Sequence, residues 1–164
     1  RVCIVVNELL RGGAQRIILD IAKHIDTNRF SLYVLYLKSH TNFGIDVETV
    51  VQEIQNTQAT VSSLEGEKEF SLRELAALTA FIRKENIDVL HTFLPYSSVL
   101  GRVAGWWTRV PVISTQCNLP DVYPLHVRIL DFCTRWMCRV WTGATETIEQ
   151  AYVGSISPFS FPVW

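Results

Sequence analysis

Two hydrophobic periods alternate along the chain, and this alternation constrains the fold more than any other feature. Short apolar runs typical of buried strands are each followed by a segment in which apolar residues recur at helical spacing. Six strands are predicted, over residues 2–7, 31–37, 59–64, 87–93, 111–116 and 139–144. Because strands that alternate with helices form parallel sheets covered on both sides, the pattern predicts a doubly wound, mainly parallel, Rossmann-like α/β fold with helices on both faces.

A helical segment is predicted after each of these strands. In the first segment, apolar residues recur from Ala14 to Ile25 and leave polar side chains facing outward. The remaining helices are predicted over residues 45–56, 72–85, 95–107, 124–138 and 145–153. Ser71 and Glu74 have the spacing of a capping box, in which two side chains satisfy amide groups that the first helical turn leaves free.

The composition excludes several classes of protein. The 164 residues are 48% hydrophobic and 19% charged, as in a folded globular chain, and the net charge of −1 gives no attraction for nucleic acid. No apolar run is long enough to cross a bilayer. The four cysteines lack the spacing of a zinc site, so we expect free thiols in a reducing cytosol and a cytoplasmic protein.

Polar and glycine residues gather after the predicted strands, where a doubly wound sheet binds its ligands. In such sheets the ligand lies outside the carboxyl ends of the strands, at the point where the connections change direction. The strand ends therefore supply the candidate site residues, which are Asn7, Gly12, Gly13, His91, Thr92, Tyr96, Gln116, Asn118, Thr145 and Glu146. We expect these residues to share one edge of the sheet.

Gly12 and Gly13 stand between the first strand and the first helix. Because they lack Cβ atoms, they let a ligand approach the backbone and leave amide groups free at a helix start, which suits a phosphate. The alternative is that they only turn the chain. The surrounding sequence, RGGAQR, lacks the GxGxxG spacing of nicotinamide-dependent dehydrogenases and the GK[ST] of a P-loop, so neither NAD nor ATP is expected.

Four segments, in order, resemble the amino-terminal domain of a retaining GT-B glycosyltransferase. They are NELLRGGAQRIILDIAKHI, IDVLHTFLPYSSVLGRVAG, VPVISTQCNLP and TGATETI. The resemblance is to glycosyltransferase family 4 (glycosyl transferases group 1) and covers roughly residues 1–150. It implies one half of a GT-B fold, with an acceptor-side domain over residues 1–153, an unassigned tail over 154–164, and a carboxyl-terminal donor-binding domain that is absent from this chain.

The resemblance also implies roles for individual residues. Gly12 and Gly13 correspond to the family's glycine loop, which approaches the diphosphate of a nucleotide-sugar donor. His91 lies in a segment that corresponds to a loop facing the reacting sugar and the acceptor, which makes it the catalytic candidate. Family members often carry His-x-His there, whereas Phe93 stands at the second position here. The alternative for His91 is a histidine that is only hydrogen-bonded at a strand end.

The implied function is transfer of a sugar from a nucleotide-diphosphate donor to a glycan or lipid-linked acceptor. Thr145 and Glu146 match a Ser–Glu pair at the start of the family's last amino-terminal helix. No cofactor is expected, and no metal ion either, since the chain has no Asp-x-Asp motif to hold a divalent ion against a diphosphate. Without its second domain, the chain is expected to be inactive and to self-associate through the bare face. A non-catalytic binding or regulatory module and an unrelated α/β enzyme stay open as alternatives.

Four of the five tryptophans lie among five arginines within residues 101–141. These tryptophans are Trp106, Trp107, Trp136 and Trp141. Aromatic rings and cations together suit the headgroup region of an anionic membrane, so peripheral contact with a membrane surface is one hypothesis. The alternative is that most of these rings belong to the core.

Overall fold

A fully parallel sheet of six strands forms the centre of the computed structural model, which describes residues 1–9, 12–37, 44–64 and 70–154. The strands agree with the predicted ones to within two residues at each end. They are β1 (Val2–Val6), β2 (Leu32–Tyr36), β3 (Thr60–Ser63), β4 (Val89–Phe93), β5 (Val112–Gln116) and β6 (Val140–Gly143). The tail from residue 155 onward lies outside the described residues.

A helix follows every strand, as the sequence predicts. The helices are α1 (Gly13–His24), α2 (Gly44–Gln55), α3 (Leu72–Lys84), α4 (Pro95–Thr108), α5 (Leu125–Thr134) and α6 (Glu146–Gly154). Ser71 caps α3 as predicted, because its Oγ accepts a hydrogen bond from the Glu74 N–H at 3.1 Å. None of the helices described here combines the length and apolar character that crossing a bilayer requires.

The predicted helix over residues 124–138 is wrong in its bounds. α5 ends at Thr134, and the chain tightens into a 3-10 turn, Arg135–Met137, before it enters β6. The Thr134 hydroxyl donates to the Leu130 carbonyl oxygen one turn earlier, at 2.8 Å, and such a bond competes with regular helix geometry. A second 3-10 helix, Pro120–Val122, lies between β5 and α5 and was not predicted.

The strand order β3-β2-β1-β4-β5-β6 places the first strand in the middle of the sheet. Ile4 of β1 lies beside Val34 of β2 on one side and beside His91 of β4 on the other. The connection that leaves β1 leads toward β2, whereas the connection that leaves β4 leads in the opposite direction, toward β5. The carboxyl ends of β1 and β4 therefore form the switch point, where doubly wound sheets bind their ligands.

Side chains of the strands alternate between two buried clusters, one on each face of the sheet. On β1, Ile4 and Val6 belong to the cluster that includes α1 and α2, whereas Cys3 and Val5 belong to the cluster that includes α3 and α4. These two clusters confirm the predicted helices on both faces. The four cysteines are free thiols, as predicted.

A buried ion pair joins α5 to α4 and to the sheet. Arg102 of α4 is fully buried and donates from Nη1 to Asp131 Oδ1 of α5 at 2.9 Å. Arg102 also donates from Nε to the Ser114 Oγ of β5 at 3.0 Å. The other carboxylate oxygen of Asp131 accepts from Arg135 Nη2 at 2.8 Å. Because a buried charge without its partner is strongly destabilising, this pair fixes the position of α5.

Candidate functional site

Asn7 joins the two loops that meet at the switch point. It follows β1 directly, and its Oδ1 accepts a hydrogen bond from the Ser97 N–H at 2.7 Å. Ser97 lies in the first turn of α4, and Leu94 just before that helix has a positive φ of 72°. Asn7 therefore caps α4 and holds the start of that helix against the end of β1.

The amino terminus of α1 opens onto the same switch point. Gly12 is the N-cap and Gly13 is the first helical residue, and both are exposed. The first helical hydrogen bond runs from the Arg16 N–H to the Gly12 carbonyl oxygen, at 3.1 Å. The N–H groups of Gly13, Ala14 and Gln15 precede that bond and have no helical carbonyl as acceptor. Since the first turn of α1 contains no acidic side chain, this helix start favours a bound anion.

Neither backbone conformation nor packing within the described residues requires a glycine at position 13. Gly12 is extended, with a φ of −174°, and no described glycine has a positive φ. A Cβ placed on Gly13 would meet no atom within 4 Å. In contrast, a Cβ on Gly105 of α4 would press on the Val112 side chain and lie 2.9 Å from the Val110 carbonyl oxygen. Gly105 is a packing glycine, whereas the space beside Gly13 is open to a ligand.

His91 is the third residue of β4 and does not stand at the end of the strand. It shares a face of the sheet with Ile4, and its ring lies 4.4 Å from the Phe93 ring, between centroids. His91 Nε2 lies 2.8 Å from Thr115 Oγ1, which lies 2.8 Å from Thr142 Oγ1. A line of hydrogen bonds thus crosses β4, β5 and β6. Burial lowers the pKa of His91 to about 4, so the imidazole is uncharged at neutral pH.

Thr92 and Gln116, which are predicted to line the cleft, are fully buried in this structure. The Thr92 hydroxyl bonds to Ser98 Oγ of α4 at 3.1 Å and to Ser114 Oγ of β5 at 2.9 Å. Gln116 donates from Nε2 to Asp131 Oδ1 of α5 at 3.3 Å. Because strand side chains alternate, both residues turn toward the helices, while the residues before them face the opposite side of the sheet.

An aromatic cluster brings Tyr96 and Asn118 together beside the start of α4. The Tyr96 ring lies 5.1 Å from the Phe70 ring and 6.4 Å from the Tyr123 ring. Asn118 donates from Nδ2 to the Tyr123 hydroxyl at 2.8 Å. Burial is the main cause that raises the pKa of Tyr123. Phe70 and Tyr123 were not among the predicted site residues; an aromatic residue in the loop after a strand, on the binding edge, is the signal that could have indicated Tyr123.

Thr145 and Glu146 begin α6 at the same edge of the sheet, beyond the outermost strand. Thr145 Oγ1 accepts a hydrogen bond from the Ile148 N–H at 3.3 Å, and Glu146 Oε1 accepts from Gln150 Nε2 at 3.0 Å. Both residues are exposed. β5 separates their strand from β4, so the fold places them on the edge but not at the switch point.

The groups available for a ligand at the switch point are mainly backbone amides and neutral side chains. Among the residues that the structure describes, no three His, Cys, Asp or Glu side chains come together as ligands for a metal ion. The amide groups at the start of α1 offer hydrogen-bond donors to an anion, and Tyr96 lies on the first turn of α4, which Asn7 holds against the end of β1. This arrangement suits a ligand that carries a phosphate group.

A family model describes most of this chain. Residues 11–144, which run from the glycine pair to the end of β6, match the model of Glycosyltransferase Family 4. The chain belongs to glycosyltransferase family 4. The resemblance found in the sequence is therefore confirmed at the level of the family. No curated protein sequence is a significant match to this family 4 chain.

Several solved structures share the fold of this family 4 chain at low sequence identity. HepE from Anabaena, in complex with UDP, has a TM-score of 0.76 and 12% identity over 94% of this chain and 40% of its own. The lipopolysaccharide outer core galactosyltransferase WaaB, in the apo form, has a TM-score of 0.70 and 8% identity over 97% and 43%. A putative UDP-N-acetylglucosamine 2-epimerase from Listeria monocytogenes has a TM-score of 0.66 and 14% identity over 94% and 42%. The chain thus spans less than half the length of these proteins and has the fold of one half of a GT-B structure.

Proposed function

We propose that this chain supplies the acceptor-side half of a glycosyltransferase that moves a sugar from a nucleotide-diphosphate donor to a glycan or lipid-linked acceptor. Membership of glycosyltransferase family 4 supports the transfer reaction. The observation that carries the donor site is Gly13, an exposed glycine at a helix start, where an added Cβ would have no atom of the described residues within 4 Å. A Cβ there would instead occupy the space through which a diphosphate reaches the amide groups.

The donor diphosphate is proposed to lie against the amino terminus of α1. The helix dipole places partial positive charge there, and the first N–H groups point out of the helix toward the ligand. HepE, which is similar in fold, was solved with UDP, and this makes a uridine diphosphate sugar the first donor to test. In a cleft that excludes water, such amides stabilise the charge of a leaving diphosphate. We therefore propose transfer without a metal ion, with retention of configuration as the family resemblance implies.

His91 is the proposed catalytic residue on the acceptor side. Its hydrogen bond to Thr115 through Nε2 holds the ring in one orientation, and Nδ1 is the second nitrogen through which the ring can bond to a sugar hydroxyl. Burial lowers the pKa of His91 to about 4, so its imidazole is neutral at pH 7. His91 therefore acts through hydrogen bonds and does not supply positive charge to the diphosphate. That charge is met by the amides of α1 and by cationic groups from a further domain.

By itself, this chain is proposed to bind a donor weakly and to be catalytically silent. It spans 40% of the length of HepE, so the groups that hold the base and ribose are proposed to belong to the remainder of a two-domain enzyme. A half-site open to water loses electrostatic strength, because a high dielectric weakens each remaining interaction. Donor affinity should be millimolar or weaker, on the order of −4 kcal/mol.

A matched pair of alanine variants tests the donor site in the complete protein. Gly13→Ala and Leu72→Ala change the first residues of α1 and α3, which both begin at the carboxyl edge of the sheet and are both exposed. Gly13→Ala should lower kcat/KM for the nucleotide sugar by about tenfold or more, as expected when a hydrogen bond to a charged group is lost. Its melting temperature should be unchanged or higher by about 1–3 °C, because alanine favours a helix.

Leu72→Ala should leave both transfer and donor binding unchanged. Unaltered transfer by Gly13→Ala would contradict the donor site. If the complete wild-type protein transfers sugar from no nucleotide donor, yet is folded and binds UDP, the alternative of a non-catalytic binding or regulatory module is correct.

A further inference from the structure

The outer surface of α4 and α5 carries most of the exposed large hydrophobic side chains of the described chain. Nine of the eleven such residues lie between positions 106 and 136. Five of them recur at steps of three and four residues along α5 and its flanking turns, and together we call them the apolar stripe: Val122, Leu125, Ile129, Phe132 and Trp136. Residues at this spacing share one side of a helix, so the stripe is a continuous apolar face that nothing in the described chain covers.

Two further tryptophans extend the stripe at the amino edge of the sheet. Trp106 and Trp107, at the end of α4, are 54% and 65% exposed, and the Trp106 ring meets the Trp136 ring edge-on at 6.3 Å between centroids. The interpretation of these rings as core residues is therefore wrong for three of the four tryptophans in this region. A groove of about 820 Å³ lies between the end of α4 and the turn that follows α5, and Arg109 and Arg139 belong to its walls.

The charges around the stripe are predominantly positive. Of the sixteen acidic residues in the chain, only Asp121 and Asp131 lie within residues 95–145. Asp131 is buried in its ion pairs with arginines, which leaves Asp121 as the exposed acid of this region. Three exposed arginines surround the stripe, namely Arg109, Arg128 and Arg139. One of them, Arg128, pairs with Asp121 at 3.4 Å.

We infer that the apolar stripe and its arginines form a surface that binds an anionic lipid bilayer. Tryptophan and long apolar side chains enter the boundary between headgroups and acyl chains, while arginines at the rim meet anionic headgroups. A second copy of the chain fits less well, because a symmetric dimer sets each patch against itself and would bring arginine toward arginine. The inference rests on exposed side chains and charge, and does not depend on the proposed sugar transfer.

The direction of α5 connects this surface to the candidate site. α5 follows the carboxyl end of β5 and ends before the amino end of β6, so the stripe runs antiparallel to the strands for about 16 Å. Leu125 therefore lies near the carboxyl edge, and Trp136 lies at the opposite edge beside the groove. A helix that rests along a bilayer in this way holds the switch point close to the headgroups, where a lipid-linked molecule would be found.

Flotation of the 164-residue chain with lipid vesicles tests the inference. Vesicles of phosphatidylcholine alone are compared with vesicles of phosphatidylcholine and phosphatidylglycerol in equal parts, at low and at physiological salt. The chain should float with the anionic vesicles, and binding should weaken with salt because exposed charges are screened. Arg109→Gln and Arg139→Gln should each weaken partitioning about fivefold, and the double variant about twenty-fivefold.

Two variants of the aromatic surface and two controls complete the test. Trp106→Ser combined with Trp136→Ser should weaken partitioning about tenfold or more, since both rings lose their apolar contact. Leu72→Ser and Arg73→Gln change exposed residues of α3 and should float as the wild type does. All variants should keep the wild-type melting temperature, because every altered side chain is exposed.

Several outcomes would overturn the inference. One is the absence of flotation with anionic vesicles at low salt while light scattering shows a monodisperse chain. Another is equal binding to neutral vesicles, or binding that the aromatic and arginine variants do not alter. A dimer that the Trp106 and Trp136 changes dissociate, without any vesicle binding, would assign the surface to a second copy.

Discussion

The protonation of His91 gives a pH dependence of stability that can be worked out from the structure. Burial lowers the pKa of His91 from its ordinary 6.5 to about 4 in the folded chain. At pH 5 the unfolded histidine is about 97% protonated, whereas the folded one is about 9% protonated. The unfolded state then binds more protons than the folded state. The stability that depends on a neutral His91 is therefore fully present at pH 7, and it is lost as the pH falls through 6.5 toward 4. The His91 contribution to this loss between pH 7 and pH 5 is about 2 kcal/mol.

Replacing His91 by glutamine isolates this contribution, because every other titrating group is shared with the wild type. Urea unfolding followed by tryptophan fluorescence at pH 7, 6 and 5 gives the free energy of unfolding at each pH. Between pH 7 and pH 5, the free energy of unfolding of His91→Gln should fall by about 2 kcal/mol less than that of the wild type. His24→Gln, which changes an exposed histidine of α1, should follow the wild type. If the free energy of unfolding had the same pH dependence in the wild type and in His91→Gln, the claim that His91 is buried as a neutral imidazole would be refuted.

Two further changes test how the structure holds the helices on the sheet. Asp131→Asn should lower the free energy of unfolding at pH 7 by about 3 kcal/mol, because it leaves the buried Arg102 charge without its partner. In the same urea experiment, Asp121→Asn on the surface should lower the free energy of unfolding by at most about 1 kcal/mol. If Asp121→Asn destabilised the chain as much as Asp131→Asn, the role of the buried pair would be contradicted. Gly105→Ala should destabilise by about 1–3 kcal/mol, since its Cβ would approach the fixed carbonyl oxygen of Val110. A melting temperature of Gly105→Ala equal to that of the wild type would show that α4 can move away from β5.

The order of strands and helices could be predicted because hydrophobic periodicity is a local property of the sequence. Each strand of the sheet was found within two residues of its predicted ends, and Ser71 caps α3 as predicted. The bounds of α5 could not be predicted in the same way. Its apolar period continues through Trp136, whereas the helix ends at Thr134, where a side-chain hydrogen bond and the approach to β6 change the backbone.

The edge of the sheet that carries the candidate site followed from topology, but the role of each side chain depended on tertiary packing. Thr92 and Gln116 are polar residues at the ends of strands, as site residues often are, yet both are buried against helices. Gly13 and Gly105 look alike in the sequence. Only the surrounding atoms show that a Cβ on Gly13 would meet open space, whereas a Cβ on Gly105 would press on β5. The apolar stripe of α5 likewise has the spacing of a core face, although its side chains are exposed.

Titration of the isotopically labelled 164-residue chain with UDP, followed by amide NMR, tests the central claim most directly. The amide signals of Gly13, Ala14 and Gln15 should shift first and most. The dissociation constant should be millimolar or weaker, which corresponds to a binding free energy on the order of −4 kcal/mol. The indole signals of Trp106 and Trp136, at the opposite edge of the sheet, should stay in place. Saturable shifts confined to other parts of the chain, or no shift at Gly13 when UDP is well above the millimolar range, would contradict a diphosphate site at the start of α1.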